Sequence, residues 1–201
     1  MTCLKGDGLA CRRGLKLLFE ELSLEARAGI PLVVTGPNGT GKSSLLRILA
    51  GLLPPTAGTV RLEGAGEAAL LEQVHYLGHE DAVKGALTVH ANLAFWRAVL
   101  GETGLGVVDA LEEVGLGGLA RLRAGVLSAG QKRRLAMARL LASRRPVWIL
   151  DEPTTALDVA AQQMFAGFAR AHLGAGGILV AATHAPLDLG AGEELRLGRR
   201  A

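Results

Sequence analysis

Apolar residues recur along this chain in two rhythms. Up to about residue 78, and again beyond 146, short runs bounded by glycine or proline alternate with helical spacing; from about 88 to 145 apolar residues return every three or four positions with little strand pattern. Ile30 to Val34, Val147 to Leu150 and Ile178 to Ala182 are apolar throughout, as strands buried on both faces are. Two strand-like runs flank Arg12-Arg13-Gly14, the second from Leu17 to Ala26. Thr59 to Glu63 alternates and reads as a strand, Val74 to Leu77 as a short one, and Glu194 to Leu197 as the last. Helical spacing joins Leu45, Leu46, Ile48, Leu49 and Leu52. It returns in a Thr88-capped helix through Phe95, Trp96 and Leu100, in Val107 to Val114 and in Leu119 to Leu122. It follows Ser128 through Leu135, Ala138, Leu141 and Ala142, and runs from Leu157 to about Leu173. Turns fall at Pro54 to Gly58 and at Gly64 to Glu67. Strands alternating with helices predict an α/β domain whose parallel sheet is covered on both faces. The core spans about 1–78 and 146–201, with a helical subdomain, about 79–145, inserted in it. Phe95 and Trp96 are either a docking surface or, more commonly for such residues, core.

The turn between the strand at Val34 and the helix at Leu45 reads Gly36-Pro37-Asn38-Gly39-Thr40-Gly41-Lys42-Ser43. It meets the phosphate-binding pattern G-x-x-x-x-G-K-[ST] at every specified position. Glycines let backbone N–H groups curl around an anion, and the helix N-terminus adds donors and partial positive charge. Lys42 is expected to reach the β- and γ-phosphates of a nucleotide and Ser43 to ligate Mg²⁺. A glycine-rich turn that binds nothing is the bland alternative, and the strand–loop–helix context argues against it.

Two further stretches carry chemistry. A buried strand ends in Asp151-Glu152; Asp151 suits Mg²⁺, and Glu152 suits orienting and deprotonating an attacking water. Leu127-Ser128-Ala129-Gly130-Gln131 sets a serine and a glycine at a helix start, offering a hydroxyl and free N–H groups to an anion. Serine is also an ordinary helix cap.

Composition narrows the class without deciding it. The chain has 201 residues, 49% hydrophobic and 20% charged, which fits a folded α/β domain with a helical insert. Its net charge of +3 comes from scattered clusters, Lys132-Arg133-Arg134, Arg144-Arg145 and Arg199-Arg200, so no nucleic-acid groove is expected. Aromatics make up 3%, too few for base-stacking platforms. No apolar run reaches the length of a membrane span, and no signal peptide is visible. Cys3 and Cys11 match no metal or redox spacing and are expected to be reduced thiols in a cytosolic protein.

The phosphate loop, Leu127 to Gln131, Trp148-Ile149-Leu150-Asp151-Glu152-Pro153, Ala156-Leu157-Asp158 and Thr183-His184 stand in the order of the motifs of ABC-type ATPase domains, which the chain resembles over essentially its whole length. They are similar to the Walker A, signature, Walker B, D-loop and switch-histidine motifs. Ala129 stands where the family signature has its first glycine. The resemblance implies the P-loop NTPase fold of ABC ATPases, with antiparallel N-terminal strands beside the parallel core sheet. It implies ATP and Mg²⁺ as cofactors. Gly36, Pro37, Asn38, Gly39, Thr40, Gly41, Lys42, Ser43 and Ser44 would hold the nucleotide, with Ser128, Gly130 and Gln131 reaching it from a second copy paired head to tail. Asp158 would lie where the copies meet. Glu152, His184 and Lys42 would be catalytic, His184 contacting the γ-phosphate and holding the water near Glu152.

Two positions depart from the family. Arg13 occupies the place of an adenine-stacking aromatic; its guanidinium either stacks on the base or is merely exposed. Tyr76-Leu77-Gly78-His79 has a histidine where the family has glutamine, so His79 is a candidate Mg²⁺ or water ligand that titrates near neutrality. With Leu87 to Trp96 and Leu127 to Leu141, these details resemble the haem-exporter ATPase subunits of bacterial cytochrome c maturation. That resemblance implies a peripheral protein on the cytoplasmic face of the bacterial inner membrane, bound to integral membrane permease subunits. An ATPase for a drug or lipid exporter is the alternative within the family; a soluble ABC protein of DNA repair or translation would need a long insert or a second ATPase domain. An assembly factor that binds ATP without turning it over is opposed by Glu152 and His184.

Overall fold

The computed structural model describes residues 2–64 and 68–198; Arg199-Arg200 and the tip of the turn at 65–67 lie outside the described residues. The described chain forms two compact units, one of residues 1–78, 146–153 and 168–201, the other of 79–145 and 154–167. Residues 154–167 thus group with the helical unit, whereas the sequence reading counts them with the core.

The core unit holds two sheets. In the first, β1 (Cys3–Arg13) pairs antiparallel with β2 (Lys16–Arg27) on one side and β4 (Ala57–Glu63) on the other. Gly14, at φ +57°, turns the chain between β1 and β2 in the left-handed region that glycine enters freely. The second sheet is parallel, ordered β5 (Val74–Leu77), β6 (Val147–Asp151), β7 (Ile178–Ala182), β3 (Leu32–Thr35) and β8 (Glu193–Arg196). Every residue of β6 and β7 is buried, which explains their unbroken apolar runs.

Helix α1 (Lys42–Leu49) seats Leu45, Leu46, Ile48 and Leu49, all at most 1% exposed, in the same cluster as Val34, Ile149 and Val180. Burial of this order is worth about 2 kcal/mol per side chain. Leu52 does not join them. The helix ends at Ala50, Gly51 takes φ +72°, and Leu52 is 53% exposed. One unforeseen turn of helix, α2 (Leu70–Gln73), precedes β5.

In the helical unit, α3 (Val89–Leu100) starts at Thr88, whose hydroxyl accepts the Ala91 N–H. Helices α3, α4 (Val107–Glu113) and α5 (Ala129–Ala142) pack on one another, and their Leu93, Leu111 and Leu135 are buried. The helix expected at Leu119 to Leu122 is absent. Gly117-Gly118 open a single 3-10 turn, Gly117–Leu119, a second spans Ala124–Val126, and so short a segment cannot sustain an α-helix. Phe95 is 40% exposed; Trp96 is half-buried and donates its indole N–H to the Ala82 carbonyl. Helix α6 (Val159–Gly174) begins two residues later than expected, because Asp158 caps it by accepting the Ala161 N–H at 2.8 Å.

In the core unit the His172 ring stacks on Trp148 with centroids 4.1 Å apart and planes 7° from parallel. Its Nε2 lies 3.1 Å from the Ile178 carbonyl, which can only accept, so that nitrogen carries the proton. Burial lowers the imidazole pKa, and the carbonyl partly opposes it. A depressed histidine stabilises the fold while the unfolded chain's imidazole is neutral, above about pH 6.5, and that stability is lost as pH falls through this value. Urea unfolding followed from pH 7.5 to 5 is therefore expected to show a decline that His172→Gln flattens. An unaltered slope in the variant refutes this account.

Candidate functional site

Three neighbouring strands of the parallel sheet end within one residue of the same level. Val34 of β3 and Asp151 of β6 both stand opposite Ala182 of β7. The segments leaving these ends are the phosphate loop, Glu152 and Thr183-His184, so register alone gathers them at the carboxyl edge of the sheet, where open α/β sheets bind ligands. There they surround a cleft of about 380 Å³ lined by Arg13, Leu18, Asn38, Gly39, Gly41, Lys42, Ser43, Ser44, Asp151, Glu152 and His184. All but Leu18 are residues that the sequence singles out.

Gly36, Gly39 and Gly41 take φ of +132°, +75° and +104°, and a Cβ on Gly36 would stand 2.3 Å from the Leu197 carbonyl oxygen. Inside the loop, Thr40 donates its hydroxyl to the Pro37 carbonyl at 2.9 Å. The buried Lys42 ammonium donates to the Gly36 and Pro37 carbonyls at 2.7 and 3.1 Å, so its charge is held over the loop that begins α1. Lys16, which the sequence reading passed over, donates Nζ to the Gly39 carbonyl at 3.3 Å. Two-residue alternation along β2 places Lys16 and the lining Leu18 on one face, a signal that was available.

On the opposite wall Asp151 is 4% exposed. Glu152 sits at φ +49°, a strained value for a side-chain-bearing residue, held by its N–H donating to the Ala182 carbonyl at 2.8 Å. The His184 N–H donates to Glu152 Oε2 at 3.5 Å; its Nε2 lies 3.0 Å from Asn38 Oδ1 and 3.7 Å from Glu152 Oε1. His184 therefore stands between the loop and the acid. Ser43 and Asp151 bring a hydroxyl and a carboxylate to the same cleft, the oxygen donors that a hard divalent cation takes.

The remaining candidates belong to the helical unit. Ser128 is exposed and caps α5 in a capping box: its hydroxyl accepts the Gln131 N–H at 3.2 Å, and its own N–H donates to Gln131 Oε1 at 2.9 Å. A Cβ on Gly130 would stand 2.7 Å from the Ala156 carbonyl oxygen, so the glycine is needed where the two turns meet. Asp158 is exposed at the cap of α6, and His79 is exposed where the chain enters the unit.

The ABC transporter family model matches residues 19–155, and the chain belongs to that family. A cytochrome c biogenesis ATP-binding export protein CcmA of Nitrobacter winogradskyi is 56% identical over 97% of this chain and 98% of its own length. The CcmA of Rhizobium meliloti is 52% identical over 96% and 97%. Within the family the chain thus belongs with the CcmA proteins of cytochrome c biogenesis. An ABC transporter ATP-binding protein of Pyrococcus furiosus, 24% identical, superposes with a TM-score of 0.82 over 97% of both chains. A dimeric ATP-binding cassette bound to ADP and Pi, 22% identical, gives 0.81 over 96% of this chain and 94% of its own. At such identities the likeness shows the fold, a parallel sheet with antiparallel strands and helices, as expected.

Because Gly36 combines a left-handed φ with contact to the Leu197 backbone, Gly36→Ala is expected to cost about 1–3 kcal/mol. Urea titration would read the loss as a lowered midpoint; an unshifted midpoint means that the backbone there accommodates a side chain.

Proposed function

We propose that this chain is the ATP-hydrolysing subunit of a membrane exporter in cytochrome c biogenesis, with haem or a haem-handling step as its task. The observation that carries the reading is the convergence of Lys42, Ser43, Asp151, Glu152 and His184 on one cleft at the sheet edge; the near full-length kinship with CcmA export proteins carries the biological assignment. Lys42 meets the β- and γ-phosphates of ATP, and the loop N–H groups hold the remaining phosphate oxygens. Glu152 orients and deprotonates the attacking water. His184, steadied by Asn38 Oδ1, holds the γ-phosphate and that water beside Glu152. Ser43 and Asp151 would hold Mg²⁺, which when bound neutralises charge on the phosphates. Catalysis is then positioning and charge stabilisation.

The exposed Ser128 and the half-buried Gly130, at the start of α5, suit contact with the phosphates of a second copy paired head to tail, with Asp158 at the junction of the copies. Their cap contacts leave the hydroxyl's further hydrogen-bonding capacity for such a contact. Gln131, already engaged in the capping box, shapes that turn. Arg13 lines the cleft and can stack on the adenine. His79, exposed where the chain enters the helical unit, is a candidate ligand to Mg²⁺ or water. Integral permease subunits hold the protein at the cytoplasmic face of the inner membrane.

Glu152→Gln is expected to retain ATP binding while hydrolysis falls by about 10²-fold or more. Turnover at the wild-type rate would remove Glu152 from the role of base. In a host deleted for the gene, haem-stained c-type cytochromes should vanish and return with the wild-type chain alone; normal cytochromes in the deletion strain would refute the biogenesis role.

The composite site has its own test. Ser128→Arg should damage only the facing copy's site, so mixing it with Lys42→Ala should restore hydrolysis that neither variant shows alone. If the mixture stays inactive, the sites are not shared between copies.

A further inference from the structure

The chain enters the helical unit at His79, and three of the next five residues are bonded to helices of that unit. Asp81 accepts a hydrogen bond from Arg133 Nη1 of α5 at 2.9 Å, with side-chain exposures of 20% and 4%. The Ala82 carbonyl accepts the Trp96 indole N–H at 3.3 Å, and Ala82 itself is bent to φ +52°. Asn92, 2% exposed, grips both backbone groups of Lys84: its Oδ1 accepts the N–H at 2.8 Å and its Nδ2 donates to the carbonyl at 3.0 Å. The Arg139 guanidinium, also of α5, lies 4.8 Å over the Trp96 ring. Burial pulls Arg139 down to about 10, Asp81 acts to raise it again and Arg133 to lower it further, so the Asp81 carboxylate answers two buried cations.

An ion pair at this depth adds little net stability, because desolvation offsets the attraction; what it contributes is direction. Its two ends have informative neighbours. Asp81 lies two residues from His79. Arg133 lies on the first turns of the helix whose cap is Ser128, next but one to Gln131 of the capping box. We propose that Asp81 and Arg133 are positioning residues that tie the segment bearing His79 to the start of α5, so that this segment and the Ser128–Gly130 turn move together. The part they play in hydrolysis rests on the function proposed above. Removing the carboxylate leaves Arg133 buried without that partner, and α5 loses the contact that sets its rotation relative to residues 81–84. The nucleotide cleft, built wholly from the core unit, is untouched.

Hydrogen exchange on the purified full-length chain, paired with ATPase kinetics, tests this. In Asp81→Asn, the amides of residues 129–133 should exchange about fivefold faster or more, with those of α4 unchanged. The kcat should fall about tenfold while the KM for ATP stays within about twofold, and Asp81→Glu, which restores the charge, should recover much of both. Unchanged exchange at 129–133 overturns the tie. Faster exchange throughout the helical unit overturns it as well, since the pair would then be only structural. Faster local exchange with unaltered kcat overturns its functional part and with it the role of the Ser128 turn in hydrolysis, while the cleft assignment, tested through Glu152, would stand.

Discussion

The parallel register of β6, β7 and β3 is the constraint on which the site depends. Ala182 faces Asp151 on one side and Val34 on the other, so three strands distant in sequence stop within one residue of the same height. A shift of one residue in either pairing would exchange the faces of a strand and move its last side chain to the wrong side of the sheet. All ten residues of β6 and β7 are buried, so neither strand has a polar face to accept such a slip. The position of a carboxylate, a histidine and an anion-binding loop is thus determined by apolar packing beneath them.

Packing of that quality allows strain at the edge. Glu152 and Gly36 both adopt left-handed φ values immediately beyond strand ends. Each turns the chain abruptly, so that the group following a strand faces the cleft and does not continue the strand. The Glu152 N–H, bonded to the Ala182 carbonyl, prolongs the ladder by one rung while the backbone changes direction. Glycine adopts such a φ freely, but at Glu152 the distortion costs of order 1–3 kcal/mol and persists only where surrounding contacts over-determine it. The core below, with α1 anchored by four fully buried side chains, supplies them.

What was legible in the sequence follows the range of the interactions. Phosphate loop, strand runs and caps are local patterns, and Thr88, Ser128 and the apolar runs from Val147 and Ile178 lie where those patterns put them. The misreadings arise where a short pattern lacked its neighbours. Leu119 to Leu122 had helical spacing but glycines before it and too few residues to nucleate. Leu52 kept the period of α1 beyond the glycine that ends the helix. Contacts across long separations left no trace: Arg133 with Asp81, the Ala156 carbonyl against Gly130, and Lys16 with the loop at Gly39. Each is a pairing of ordinary residue types that only the folded chain brings together.

The same distinction explains where this chain departs from its family's pattern. In the signature turn, Gly130 meets the Ala156 carbonyl and has no room for a side chain, whereas Ala129 is exposed at the first position of α5. Alanine is a better helix former than glycine, so the exchange at 129 favours the helix that bears the turn and sacrifices nothing in packing. His79 is likewise exposed, at the first residue of the helical unit, and the hydrogen bond to α5 comes only at Asp81. Packing therefore permits either histidine or glutamine there, and the difference between them is chemical: a ring nitrogen in place of a side-chain amide. Substitution in this family pattern falls on positions that the backbone leaves unconstrained, and the constrained glycine beside it is kept.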